Sequence, residues 1–505
     1  MKRIVSFGGG MLCTLLSFLC RAAIHPNSLF ADHMVLQQQV PVPLWGTGTD
    51  GQKVTVSFNG QQQVTIVQNG CWRVTLSPLT AGGPFTMTIS ADTVITIGDV
   101  LVGEVWICSG QSNMDRRLKP MPPQKPIVRW EEEVQAARYP EIRQFFVPHS
   151  AVTEEPKEDC NGKWTVCSPQ SVMEYSAIGY FFARDLYKTI KVPLGFIYTA
   201  WGGTPAERWV SREVLKSDTA LSGLVTAYYE AMKRYPGQLE AYKAKEPDLL
   251  QQWSRDSLKA VTKGAPLPPK PRPPFNLQKE GDCGGLYNIM VAPLTPYAIK
   301  GVCWYQGESN SARAWQYPAL LTALINSWRQ KWNEGNFPFL IVQIAPYKDM
   351  SPEIREAQLQ VSQKLPNTAL IVTTDCGDSA DIHPTFKQPV GARLALAARA
   401  VAYHEPITYS GPVYKRFKIM GDKIILYFEH ARQLESKGGP LKGFTIAGPD
   451  HQFVTAKAII KGSSVEVTSS EVPHPVAARY GWSNVPDVNL YNEAGLPASP
   501  FRTGQ

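Results

Sequence analysis

Strand-like and helix-like segments alternate regularly between residues 98 and 404. Short apolar runs alternate with longer stretches of helical periodicity, which predicts a parallel sheet covered by helices on both faces. The predicted strands are residues 103–109, 194–200, 299–305, 337–344 and 369–375. The predicted helices are residues 175–190, 313–332, 352–365 and 387–404.

The segments on either side of this α/β region have a different pattern. Residues 24–97 are rich in Val, Thr and Gly and alternate apolar with polar residues between turns, which predicts a small β-sandwich-like domain. Residues 405–505 return to short alternating strands and end in a tail rich in Pro and Gly, so we predict a second β-rich region there. Within the α/β domain, residues 98–404, we predict a surface insertion at 211–281 that is first helical and then proline-rich.

The N-terminus has the features of an export signal. Lys2 and Arg3 precede an apolar stretch too short to span a bilayer, and the small residues Ala22 and Ala23 follow it. We therefore predict a signal peptide at residues 1–23, no membrane span, and a periplasmic or secreted protein, or one in a lysosome-like lumen. The net charge of +8 is not gathered in a basic run, so nucleic acid is not an expected partner. The sequence does not indicate an oligomeric state.

An oxidising compartment would permit disulfide bonds. Cys160 and Cys167 flank a short loop that contains Asn-Gly, and the sequence therefore suggests that they pair. Cys108, Cys303 and Cys376 each lie in or beside an apolar run, which indicates small buried core residues.

Polar, glycine-rich turns follow the ends of several predicted strands. The first strand ends in the turn SGQSNM, the second in WGGT and the third in YQGESN, and the fifth is followed within ten residues by DIHP. Ligands of open α/β sheets bind in the crevice outside the carboxyl ends of the strands. A serine hydroxyl, an imidazole, carboxylates and backbone N–H groups are therefore expected at one rim, and these are the groups that acyl transfer requires.

The four turns, in this order, resemble the conserved blocks of SGNH hydrolases, and the chain is most similar to the sialate O-acetylesterase family. The resemblance extends to LFADHMVL near the N-terminus, to YNIM before the third strand and to NEAGLP near the end. It implies a flavodoxin-like three-layer α/β/α domain with a parallel sheet. It also implies hydrolysis of acetyl esters on sialic acid, with no metal or organic cofactor.

The resemblance assigns catalytic roles to particular residues. Ser112 is the expected nucleophile, which forms an acyl-enzyme, and His383 is the expected general base. The expected oxyanion hole combines the backbone N–H of Ser112, a backbone N–H of Gly202 or Gly203, and a side-chain amide. For that amide we prefer Gln306 to Asn310.

The sequence leaves open which acid orients His383. The usual SGNH pattern places an aspartate three residues before the histidine, but that position is Ala380 here, and Asp381 stands two residues before. Glu308, from a different strand end, is the alternative, and Asp378 is a remoter one. We prefer Asp381 to Glu308.

The substrate is less constrained by the sequence than the reaction. Trp201, Tyr305 and Arg208 are the expected substrate-binding residues, and Arg116, Arg117 and Arg313 are further candidates to meet a sialate carboxylate. An acetylxylan or other glycan acetylesterase is the alternative within enzymes. A non-catalytic carbohydrate-binding protein is the alternative from another class.

Overall fold

The computed structural model describes residues 23–274 and 283–504, so the predicted leader lies outside the described residues except for its last position. The N-terminal part is built only from strands. In β4 the side chains of Val54, Val56 and Phe58 are buried while their neighbours are more exposed, as alternation along a one-sided sheet requires. The strands are β1 His25–Pro26, β2 Val35–Gln37, β3 Val42–Thr47, β4 Lys53–Phe58, β5 Gln61–Ile66, β6 Cys71–Leu76, β7 Gly82–Ser90 and β8 Val94–Gly110.

The long strand β8 connects the N-terminal β-region to the central sheet. Its first half pairs with β7 in antiparallel orientation. Its second half lies between two parallel neighbours in the central sheet. The predicted domain boundary at residues 97–98 falls inside this strand.

The middle of the chain alternates strands and helices, as the sequence predicts. Its elements are α1 Ser112–Asp115, α2 Trp130–Ala136, β9 Tyr139–Phe146, β10 Lys163–Cys167, α3 Ala177–Ile190, β11 Leu194–Ala200, α4 Arg212–Ser217, α5 Ser222–Thr262, β12 Gly301–Tyr305, α6 Tyr317–Trp332, β13 Phe339–Val342, α7 Pro352–Lys364, β14 Thr368–Ile371 and α8 Gln388–Ala402. The strand order is β10-β9-β11-β8-β12-β13-β14. All neighbours in this order are parallel except β9 and β10.

Successive residues of the central strands point into two different hydrophobic clusters. In β8, Val105 and Ile107 pack in the cluster that contains residues of α6 and α7. Trp106 and Cys108 pack in the cluster that contains residues of α3 and α8. Because both faces of these strands are buried, runs such as residues 105–108 of β8 are apolar without alternation.

The predicted insertion is dominated by one long helix. Helix α5 continues through Pro236 and Pro247, and only Val225 and Tyr228 along it are buried. The proline-rich segment turns back onto the helix, where the indole N–H of Trp253 donates to the Pro268 carbonyl at 2.9 Å. No helix among residues 23–274 and 283–504 is long and apolar enough to span a bilayer.

The C-terminal part is again β-rich, with a separate core that includes Leu426, Val467 and Phe501. Its strands are β15 Val413–Met420, β16 Lys423–Glu429, β17 Leu434–Ser436, β18 Phe444–Ala447, β19 Phe453–Thr455, β20 Lys457–Lys461, β21 Ser464–Thr468, β22 Ala477–Tyr480, β23 Leu490–Asn492 and β24 Phe501–Arg502.

The suggested Cys160–Cys167 pairing is wrong, because both are free thiols. Cys160 lies beside Ser28, with 3.7 Å between its Sγ and the serine Oγ. Cys167 is at the far end of β10, paired with Tyr139. The extended strand between them, at about 3.3 Å per residue, keeps the two thiols apart.

Candidate active site

A pocket of about 450 Å³ lies where β8, β11 and β12 end, at their carboxyl ends. Three of the predicted turns and the histidine loop meet there, although they are far apart in the sequence. The lining residues are Gln111, Ser112, Gly202, Gly203, Glu308, Ser309, Ile382 and His383.

The turn that carries Ser112 is tight because glycines on and beside it let backbone segments approach closely. Gly110 has φ +139°, and a Cβ there would lie 2.1 Å from the Tyr305 carbonyl oxygen. A Cβ on Gly202 would lie 3.3 Å from the Cβ of Ser112. The side-chain oxygen of Gln111 accepts hydrogen bonds from the backbone N–H groups of Gly307 and Ser309, which ties this turn to the third one.

Ser112 and His383 are in direct contact. Nε2 of His383 lies 2.8 Å from Oγ of Ser112, the geometry of a hydrogen bond. Burial lowers the pKa of His383, and the positive charges of Lys387 and Arg116 lower it further, while Asp381 opposes them. A histidine with a lowered pKa is neutral near pH 7 and can accept the serine proton.

Both candidate orienting acids lie near the pocket, and neither is within hydrogen-bonding distance of the ring. Oδ1 of Asp381 is 3.9 Å from Nδ1 of His383 and accepts a hydrogen bond from the His383 backbone N–H at 2.8 Å. Nε2 of Gln124 lies 3.5 Å from the same Nδ1. Glu308 accepts from the Asn113 amide through Oε1, and its Oε2 is buried with no hydrogen-bond partner among the described residues.

The side-chain amides expected at the oxyanion hole face away from the pocket. Nε2 of Gln306 donates to the Thr204 carbonyl at 3.2 Å and to Oδ1 of Asn310 at 2.7 Å. Nδ2 of Asn310 donates to Glu207 at 2.9 Å. Both side chains are buried and neither lines the pocket. They therefore support the loop beside Gly203 from its protein side.

Of the backbone donors expected there, Gly202 and Gly203 both line the pocket. The Gly202 N–H already donates to Asp115 at 3.2 Å. Gly203 is exposed and has φ +71°, in the left-handed region that glycine favours.

The residues expected to bind substrate are more deeply buried than an aromatic surface on which a sugar ring stacks would be. Tyr305 is buried, with the ammonium of Lys387 over its ring at 5.4 Å. Arg208 is also buried. Trp201 is half-buried and stacks on His149, with ring centroids 4.0 Å apart.

The other candidate arginines have partners of their own. Arg116 donates to the Gln124 side chain and to the Lys125 carbonyl. Arg117 pairs with Glu174 at 2.5 Å, and Arg313 pairs with Glu207. Among the residues that the structure describes, neither these three arginines nor Arg208 line the pocket.

Sequence reasoning missed two residues behind the pocket, Asn113 and Lys387. Asn113 was part of the first motif but received no role, and Lys387 was only the first residue of a predicted helix. A lysine at a helix N-terminus is electrostatically unfavourable, and that mismatch is the signal that could have identified it.

Comparison with known proteins identifies the family of this chain. The family described as "Carbohydrate esterase, sialic acid-specific acetylesterase" matches residues 102–245 and 277–400. The chain is 30% identical to the sialate O-acetylesterase of Rattus norvegicus, over 94% of this chain and 93% of the relative. It is 29% identical to the human sialate O-acetylesterase, over 94% of this chain and 91% of the relative.

A solved structure is similar over nearly the same length. It is a carbohydrate acetylesterase from Xanthomonas citri, with a TM-score of 0.79 and 34% sequence identity. The match covers 96% of this chain and 100% of that one.

Proposed function

This chain belongs to the family of sialic acid-specific acetylesterases among the carbohydrate esterases, and on that premise we propose that it removes O-acetyl groups from sialic acid through an acyl-enzyme on Ser112. It is a carboxylic ester hydrolase, as the sequence predicted. The observation that carries the proposed mechanism is the 2.8 Å contact between Oγ of Ser112 and Nε2 of His383 at the carboxyl ends of the central strands.

In the proposed reaction His383 accepts the proton of Ser112 as its oxygen attacks the acetyl carbonyl carbon. Negative charge then develops on the carbonyl oxygen, which the backbone N–H groups of Ser112 and of Gly203 or Gly202 would stabilise. The C–O bond to the sugar breaks as His383 returns the proton to the leaving sugar oxygen. Water, deprotonated by the same histidine, then releases acetate and restores the serine.

We propose Asp381 as the acid that orients His383. Its negative charge raises the pKa of the ring, and its Oδ1 needs to approach Nδ1 by only about 1 Å to form a hydrogen bond. Catalytic hydrogen bonds are often long in unliganded enzymes. Glu308 is the weaker alternative, because Asp381 and not Glu308 is among the charges that shift the pKa of His383.

We also infer that the α/β region has the flavodoxin-like three-layer arrangement of SGNH hydrolases. Two hydrophobic clusters on opposite faces of the same strands, each with its own helices, support this arrangement. We propose the division into 24–97, 98–404 with the insertion 211–281, and 405–505. We propose export of the chain on the basis of the predicted leader at residues 1–23.

A second candidate substrate is an acetylated neutral glycan such as xylan. The observation in its favour is that Arg116, Arg117 and Arg313 are engaged with other protein groups, which leaves a sialate carboxylate without a pocket arginine in the part of the chain that the structure describes. A non-catalytic carbohydrate-binding protein would lack hydrolysis altogether.

Acetate release from 9-O-acetylated sialic acid, measured beside release from acetylated xylan, decides between the substrates. We expect kcat/KM to be higher for the sialic acid ester, with no release by Ser112→Ala from either substrate. Equal or faster turnover of xylan would replace the first candidate with the second. A wild-type protein that binds glycans but hydrolyses neither substrate would contradict the enzymatic function.

A further inference from the structure

A buried lysine lies behind the catalytic pocket. Lys387 is 1% exposed and is the residue that precedes helix α8. Its Nζ donates to Oδ1 of Asn113 at 2.5 Å. Burial of an ammonium is costly, and the positive end of a helix dipole makes this place still less favourable, so compensation must come from the surroundings.

One side-chain amide, that of Asn113, connects the buried ammonium to a carboxylate. Nδ2 of Asn113 donates to Oε1 of Glu308 at 2.6 Å and to the Ile382 carbonyl at 3.1 Å. Asn113 is fully buried and directly follows Ser112, while Ile382 directly precedes His383. A single asparagine therefore joins the nucleophile turn, the histidine loop, a buried cation and a buried carboxylate.

The charges of this group matter for the chemistry in the pocket. Glu308 is 6% exposed and lines the pocket, where a lone negative charge would oppose the negative charge that develops on the ester oxygen. Lys387, which is buried behind the pocket, supplies a positive charge that offsets the negative charge of Glu308. Burial raises the pKa of Glu308, and Asn113 and Lys387 act against that rise.

Resting on the proposed ester hydrolysis, we propose that Lys387 is a positioning residue for the reaction. Through Asn113 it fixes the separation of Ser112 and His383 and offsets the charge of Glu308. It does not touch the substrate, because Asn113 and the pocket wall lie between them. Its positive charge also favours the neutral form of His383.

Other charged and titratable groups act on the same two residues. Burial lowers the pKa of Lys387 to about 7, with Glu308 opposing that shift most strongly. Besides Lys387, the groups that act on His383 are Asp381 and Arg116. Those that act on Lys387 are Glu308, Arg116, Cys376 and Asp381, and the ring of Tyr305 lies beneath its ammonium.

The test replaces Lys387 by methionine, which keeps the length of the side chain and removes the charge. For p-nitrophenyl acetate at pH 6.5, below the pKa of about 7 at which Lys387 loses its charge, we expect Lys387→Met to lower kcat by about 10- to 100-fold with KM within about twofold, because the loss is one of geometry. We also expect the acid limb of kcat/KM to move to higher pH, because a charge that lowers the pKa of His383 has been removed. Arg399→Met, on the same helix but paired with Glu405, is the matched control and should change neither quantity.

A double-mutant cycle asks whether Lys387 acts through Asn113. Asn113→Ala alone should lower kcat about as much as Lys387→Met does. The double variant should lower it little further, since both substitutions remove the same hydrogen bond between Lys387 and Asn113. Additive losses, or a Lys387→Met variant with wild-type kcat and an unshifted pH profile, would overturn the proposal.

Folding is followed by thermal melting of each variant. If Lys387→Met does not fold, the pair Lys387→Met with Glu308→Gln serves in its place and is compared with Glu308→Gln alone. We expect the pair to have the lower kcat, and a kcat equal to that of Glu308→Gln would overturn the proposal. Failure of the proposed function has a different signature: Ser112→Ala would then hydrolyse the ester as fast as the wild type, whatever residue 387 is.

Discussion

Two cavities of this protein differ in how their polar side chains are held. The N-terminal cleft, about 820 Å³, lies between the sheet face that carries Trp45 and Arg73 and the segment around Glu158. The catalytic pocket is smaller, about 450 Å³. Arg73 and Glu158 are exposed and form no ion pair within residues 23–274 and 283–504. In the pocket, by contrast, Ser112 and His383 are half-buried and in contact. The Asn113 side chain beside them is buried and hydrogen-bonded to both Glu308 and Lys387.

Cavity volume alone therefore does not locate the chemistry. A choice by size between these two cavities would select the cleft as the active site. Catalysis depends on groups that are held in place before the substrate arrives, and only the smaller cavity has them.

The largest effect is expected at the nucleophile. Ser112→Ala removes the oxygen that attacks the ester, and we expect kcat/KM for p-nitrophenyl acetate to fall by about 10⁴-fold or more. The measurement is initial rate at pH 8. Ser379→Ala, an exposed serine on the same loop as His383, is the control and should keep the wild-type rate. Substantial activity in Ser112→Ala would mean that the pocket is not where hydrolysis occurs.

The next largest effect separates the two acids of the pocket. Asp381→Asn keeps the shape of the side chain but removes its charge, and we expect kcat to fall by about 10²- to 10⁴-fold, as for other orienting aspartates. Glu308→Gln should cost less, because its role is indirect. Steady-state kinetics of both variants at one pH make the comparison. A larger loss in Glu308→Gln would transfer the orienting role to Glu308.

The pH dependence tests the environment of the base. Because folding lowers the pKa of His383 below its usual value of 6.5, activity should be complete above that pH and fall as the ring is protonated at lower pH. We expect the acid limb of kcat/KM to have its midpoint below 6.5, with about a tenfold loss per pH unit further down. Asp381→Asn should move the midpoint to still lower pH, because it removes a charge that raises the pKa. A wild-type midpoint above 6.5 would contradict the electrostatics described for the pocket.

The sequence predicted the parts of the site that lie at strand ends and missed those that depend on packing. Ser112 and His383 were predicted because parallel strands bring their carboxyl ends to one rim, whatever the chain between them does. The direction of the Gln306 amide could not be predicted, since it is set by Thr204 and Asn310, which reach it only in the folded chain. Lys387 was missed for the same reason.

The same contrast applies to the fold. The predicted strand at 194–200 has the same bounds as the observed strand β11. The apolar run there lies between a charged segment and a glycine turn, and these two limits define the length of the strand. Strands β9 and β10 were not predicted. Arg143 and Gln144, buried polar residues in β9, interrupt the apolar pattern there, and their partners are distant in sequence, such as Asp99 and Ser176.

The smallest effect is expected in the N-terminal cleft. Arg73 is exposed on β6 and its side chain has no ion-pair partner within the described residues, so Arg73→Ala should change the free energy of unfolding by no more than about 0.5 kcal/mol. We expect its kcat/KM for p-nitrophenyl acetate to stay within about twofold of wild type, since a substitution at an exposed site disturbs no preorganised group. Urea unfolding and initial rates provide the two measurements, with Glu158→Gln across the cleft as a matched variant. If either substitution lowered the rate tenfold while the protein stayed folded, the cleft would be coupled to the pocket, and the contrast between a solvated cavity and a preorganised one would no longer explain where this enzyme does its chemistry.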